Sequence, residues 1–69
     1  LQSAAYGLVV EELAAAQKRM EQSAETMAYY AEAPQDIAFA EAVKSYRAAK
    51  ERRGVCEQIV KGLEALTEE

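Results

Sequence analysis

Pro34 constrains the fold of this chain most, because it lies near the middle of a sequence that otherwise favours helix. Proline lacks a backbone donor and disfavours helix in the residue before it. Elsewhere the helix-forming residues Ala, Glu, Lys, Arg and Gln are abundant, and Asp36 is a suitable N-cap. We therefore expect one all-α domain over 1–69, with helix one at about 3–32, a turn at 33–35 and helix two at about 36–67.

Both halves carry apolar and small residues at alternating spacings of three and four, and we call these two rows the seam. The row on helix one is Tyr6, Val9, Leu13, Ala16, Met20, Ser23, Met27 and Tyr30. The row on helix two is Phe39, Ala42, Tyr46, Ala49, Arg53, Cys56, Val60 and Leu63. This spacing is typical of coiled-coil packing, and a short turn makes the helices antiparallel neighbours. The sequence thus predicts a two-helix antiparallel coiled-coil hairpin.

The two rows dock in a register that sets Tyr30 across from Phe39 at the turn. The same register places Leu13 opposite Cys56, and large residues then usually meet small ones, which allows close packing. It also brings charged residues of opposite sign together outside the seam. The expected ion pairs are Glu25 with Lys44 and Glu21 with Arg47. The register also sets Ala16 opposite Arg53, and Tyr6 opposite Leu63 near the termini.

Charge and residue types exclude several functions. The net charge is −4 with alternating signs, which argues against direct nucleic-acid binding. We expect the basic residues of helix two to pair with the Glu-rich first helix. There is no His, so Cys56 has no activating base and the carboxylates lack the His ligands of a di-iron bundle. We therefore expect no enzyme, no catalytic residue, no metal, no cofactor and no small-molecule substrate.

The single cysteine also bears on stability and compartment. One Cys cannot form an internal disulfide, and it fits a reducing, cytoplasmic location. No apolar run is long enough for a membrane span, and no signal peptide is visible. A chain of this length buries only about 60% of its unfolded surface, so it needs a further source of stability. Association with a protein partner or as a homo-oligomer is the remaining source of stability.

Apolar residues outside the seam are the expected contacts for that partner. Tyr29 and Tyr30 cannot both face the seam, so Tyr29 is the best candidate for an exposed contact. The end that carries both termini has the richest apolar flank. The expected partner-binding residues are Val10, Tyr29, Val43, Val55, Ile59 and Leu66. The sequence thus predicts a non-catalytic interaction or assembly protein that completes a bundle with itself or with a partner.

Residues 37–60 resemble the small subunit of bacterial exonuclease VII. The similarity runs from Ile37-Ala38-Phe39-Ala40-Glu41-Ala42-Val43 through Tyr46-Arg47 to Val55-Cys56 and Ile59-Val60. The sequence departs from that family in the turn, where Ala33-Pro34-Gln35 replaces a glycine, and at Ala49, where a glycine is expected. The resemblance implies a short helical hairpin that binds a large catalytic subunit.

Small co-chaperones of type III secretion needle subunits are similar in size and architecture. That similarity implies a third role, a cytoplasmic co-chaperone of a secretion subunit. The interaction protein, the accessory nuclease subunit and the co-chaperone all require a helical hairpin that binds another protein.

Overall fold

The computed structural model describes residues 4–67 and shows an all-α hairpin. Helix α1 spans Ala4–Tyr29 and helix α2 spans Ile37–Thr67. The expected hairpin is thus confirmed, while the expected start of helix one near residue 3 lies outside the described residues. Hydrogen bonds that join Tyr6 to Glu64 and Gln17 to Arg53 show that the two helices run antiparallel.

Helix α1 ends at Tyr29, three residues before the expected end at 32. The amide of Ala31 donates to the carbonyl of Ala28 at 3.3 Å, and the amide of Ala33 donates to that of Tyr30 at 2.9 Å. Such three-residue turns tighten a helix end and satisfy carbonyls that have no helical partner. The connection is therefore 30–36, longer than the expected 33–35.

Helix α2 begins with the expected cap. The Asp36 carboxylate oxygen Oδ1 accepts from the amide of Ala38 at 2.8 Å, and the Asp36 carbonyl accepts from the amide of Phe39 at 3.1 Å. An N-cap aspartate satisfies a donor that the first helical turn leaves free. The N-cap prediction for Asp36 is confirmed.

The seam lies between the helices as the spacing predicts. All sixteen seam residues are buried or half-buried. The fully buried ones are Ala16, Met20, Ser23, Ala42, Ala49 and Cys56. Of these only Met20 is large, so the helices pack closely over a thin core.

The hairpin is a rod of 52 × 14 × 13 Å with a Cα radius of gyration of 15.6 Å. A compact domain of this length has a radius of gyration near 11 Å. The rod shape leaves both flanks of the seam uncovered along their whole length.

The cross-helix polar contacts support the register at two levels. The Tyr6 hydroxyl bonds the Glu64 carboxylate at 3.3 Å, next to the expected partner Leu63. Arg53 Nη1 donates to Gln17 Oε1 at 2.8 Å, next to the expected partner Ala16.

The expected ion pairs of Glu25 with Lys44 and Glu21 with Arg47 are not among the ion pairs of residues 4–67. Glu21 instead accepts from Gln17 Nε2 at 3.1 Å within its own helix. The register therefore placed the backbone well and the long exposed side chains poorly, because the seam does not fix their rotamers.

Candidate interaction surface

The seam has two flanks, and each carries a shallow groove. Leu8, Glu12, Arg52, Val55 and Ile59 line one groove of about 220 Å³, with Val9 and Cys56 at its floor. We call this flank the first face. Val10, Leu13, Ala14, Gln17, Arg53 and Glu57 line the other groove of about 390 Å³. We call that flank the second face.

The first face is the more apolar of the two at the end that carries both termini. Leu8 is 64% exposed, Val55 51% and Ile59 43%. Leu66 follows Ile59 by two helical turns, so it lies on the same face, and it is 70% exposed. Large apolar side chains grouped in this way mark an interaction surface more often than scattered ones do.

Tyr29 lies at the turn end of the first face, six helical turns after Leu8. It is the most exposed large apolar residue in the described part of the chain, at 82%. Its ring meets that of Tyr30 edge-on, with 5.0 Å between centroids and 79° between planes. Tyr30 is half-buried in the seam, so it holds the exposed ring in place.

An ion pair crosses the first face beside the apolar group. Arg52 Nη2 lies 3.3 Å from Glu12 Oε1, and the two side chains are 59% and 48% exposed. An exposed pair of this kind stabilises the fold by about 0–1 kcal/mol at most. Within the pair the two charges offset each other, and Arg19, one heptad after Glu12, adds a further positive charge to this face.

The second face exposes fewer large apolar side chains. Val10 is 39% exposed, and Val43 is half-buried rather than exposed. Arg53 lies between this face and the seam, where its Nε is buried and has no hydrogen-bond acceptor among residues 4–67. Burial of an incompletely paired guanidinium opposes folding.

The structure separates the expected partner-binding residues into two groups. The grooves place Val55 and Ile59 on the first face and Val10 on the second. Helical spacing adds Tyr29 and Leu66 to the first face and Val43 to the second. The seam runs between the two groups, and whether either group binds a partner stays a prediction. Leu8 and Ile37, exposed at 64% and 78%, were missed as contact candidates. For Leu8 a signal existed, since it lies three heptads before Tyr29.

Gly7 and Gly62 do not mark a close approach of the two backbones. A Cβ added at either position has nothing within 4 Å. The open space fits both weak helix ends and a socket for a partner's side chain. Within residues 4–67, no cluster of three or more His, Cys, Asp or Glu side chains could hold a metal ion. Neither described helix combines the length and apolarity that crossing a membrane requires.

No protein-family model, curated protein or solved structure matches this chain. The resemblance of residues 37–60 to the nuclease subunit and the architectural similarity to secretion co-chaperones therefore remain predictions.

Proposed function

We propose that this chain is a non-catalytic helical-hairpin module that assembles with a protein partner or with itself through the first face, in the cytoplasm. One observation carries the proposal. Within residues 4–67 the buried apolar residues are mostly Ala, while the seven large apolar residues that remain exposed are Leu8, Val10, Tyr29, Ile37, Val55, Ile59 and Leu66.

The energetics support the same proposal. Burying a Val, Leu or Ile side chain completely stabilises a fold by about 1.5–3 kcal/mol, and an Ala side chain supplies much less apolar surface. Leu8, Val55, Ile59 and Leu66 each keep about half or more of their surface in water. A partner that covers these four side chains would contribute several kcal/mol. That is comparable with the free energy of unfolding of a small domain.

An accessory subunit of a nuclease is the second candidate. The stretch that resembles the exonuclease VII small subunit lies on α2 and includes Val55 and Ile59, which are exposed on the first face. These residues would contact a large catalytic subunit. Co-purification with a nuclease subunit would support this role, and the co-chaperone role would instead require binding to a secretion needle subunit.

Thermal unfolding followed by circular dichroism tests the general proposal. The protein alone is measured across about 1 to 200 µM, with sedimentation velocity at the same concentrations. We expect low helicity and a broad transition in dilute solution, and a gain in both with concentration or with a partner. A well-folded monomer with a sharp transition that does not depend on concentration contradicts the proposal.

A further inference from the structure

We infer that the first face binds the first face of a second copy of this chain, with the two-fold axis along the rod, so that two parallel hairpins form a four-helix bundle. This inference rests on the proposed function and names its partner. In this arrangement α1 of one copy packs against α2 of the other, and every neighbouring pair of helices is antiparallel, as in up-and-down bundles.

The surface area of the hairpin fits this partner. The chain exposes 5370 Å², whereas a compact protein of this mass exposes about 4,300 Å². The excess is about 1,100 Å² per chain. Stable interfaces bury about 800 Å² per partner, and those of obligate dimers bury more. Packing one rod lengthwise against another would bury an exposed area of this size.

The levels of the apolar residues along the rod favour the parallel arrangement. Leu8 shares a groove with Val55 and Ile59 of the other helix, so the three lie at nearly the same level. A two-fold axis along the rod keeps each residue at the same height along the rod and sets α1 of one copy against α2 of the other. Leu8 of one copy then meets Val55 and Ile59 of the other, and the apolar ends cover each other.

The charges on the first face agree with this axis. Glu12 and Arg52 lie close enough to pair within one chain. Exchange of the helices places Glu12 of each copy beside Arg52 of the other, so opposite charges meet across the interface. Two chains of net charge −4 would thus associate through a region where this pair leaves no net charge.

A two-fold axis perpendicular to the rod fits less well. Arg53 bonds Gln17, which lies near the midpoint of Ala4–Tyr29, so Arg52 is also near the middle of the rod. Full antiparallel overlap would bring the two Arg52 side chains together and set the apolar end against Ser45 and Thr26. Like charges in contact across an interface are destabilising.

The second face is a poorer choice because its burial would leave a charge without a partner. Lys50, Glu57 and Lys61 follow one another at helical spacing along its α2 side. On its α1 side, Val10, Ala14 and Gln17 are uncharged. Glu21 follows Gln17 on this side and is charged. Exchange of the helices would still cover Glu57 with Val10 and Ala14, which share its groove, and an unpaired charge is costly to bury.

A matched pair of variants tests which face associates. Ile59 and Val10 are β-branched and 43% and 39% exposed, one on each face. We expect Ile59→Gln to raise the dimer dissociation constant at least about tenfold, while Val10→Gln changes it less than about threefold. Sedimentation equilibrium measures both. Equal effects of the two variants, or a larger effect of Val10→Gln, overturn the inference.

Spin labels test the direction of the second copy. Exposed Gln35, at the turn, and exposed Ala65, near the opposite end, are changed to Cys one at a time in a Cys56→Ala background and labelled with a nitroxide. We expect intermolecular distances below about 35 Å for both labels, since a bundle is only two helix diameters wide. If Cys56→Ala does not fold, the Ile59 and Val10 variants still decide which face associates.

The other outcomes separate the two proposals. Distances near the 52 Å rod length for both labels indicate an antiparallel dimer. A short distance for residue 65 alone indicates overlap of the terminal ends only. Either result overturns the parallel arrangement and leaves the proposed function standing. Folding that requires another protein, with no measurable distance between spin labels on two copies, also overturns the parallel arrangement and leaves the proposed function standing. A stable monomer that unfolds independently of concentration overturns both proposals.

Discussion

Arg53 reaches across the seam and donates from Nη1 to Oε1 of Gln17 at 2.8 Å, while its own Nε is buried without an acceptor among the described residues. A charged group thus lies in the middle of the packed row with only part of its hydrogen-bonding capacity used. Replacing such a buried charge with an apolar side chain is often neutral or stabilising.

We therefore expect Arg53→Met to stabilise the hairpin by about 1 kcal/mol, because Met keeps the apolar stem and removes a guanidinium whose Nε has no acceptor. Urea unfolding monitored at 222 nm by circular dichroism measures the change. Lys50→Met is the control, since Lys50 is exposed on the same helix and its change should stay within about 0.5 kcal/mol. Marked destabilisation by Arg53→Met would show that the guanidinium makes further favourable contacts.

Gly54→Ala should raise the stability of α2 by about 1 kcal/mol, because glycine loses more backbone entropy in a helix than alanine. The added Cβ has nothing within 4 Å, so no contact opposes the change. In a domain of this size the melting temperature should rise by about 4–8 °C. A fall in melting temperature would mean that a partner chain fills the space above Gly54.

Asp36→Ala should destabilise the hairpin by about 1 kcal/mol, because it removes the acceptor for the amide of Ala38. Gln35→Ala, one position earlier, serves as the control and should change little. Thermal melts of both variants at one protein concentration give the comparison. An Asp36→Ala variant as stable as the parent would mean that water replaces the cap without loss.

Leu13→Asp should abolish most of the helicity, because a carboxylate at this half-buried seam position would be removed from water without a partner. Gln58→Asp adds the same charge at an exposed position and should preserve the helical signal. Far-ultraviolet circular dichroism of the two variants is the measurement. An unchanged spectrum for Leu13→Asp would contradict the packing of Leu13 in the seam.

The seam residues could be predicted from the sequence because burial follows the three-and-four spacing of a helix. The cap at Asp36 could be predicted for a similarly local reason. The end of α1 at Tyr29 could not, because the tightening turns between Ala28 and Ala33 depend on backbone geometry that Ala, Glu and Tyr all allow. The expected ion pair of Glu21 with Arg47 failed because exposed side chains choose among partners of similar energy, here Gln17.

The candidate interaction surface was only partly predictable. Val55, Ile59 and Leu66 were recognised as apolar residues outside the seam, and so was Val10. Which side of the seam each one occupies follows from its angle around the helix, and the expected contacts were not sorted by that angle. Leu8 is absent from the expected contacts, although its three-heptad spacing from Tyr29 indicates the same face and the structure places it beside Val55 and Ile59.

The small size of the buried seam residues determines which mutations the hairpin tolerates. Ala49 is 0% exposed and Ala16 1%, so little can be removed at these positions, but a larger side chain would push the helices apart. Overpacking of this kind costs about 1–3 kcal/mol. A saturation mutagenesis scan should therefore show an interior that accepts Gly or Ser more readily than Val, Leu or Phe. Sequence drift in such a protein would be limited at these positions by an upper bound on side-chain volume.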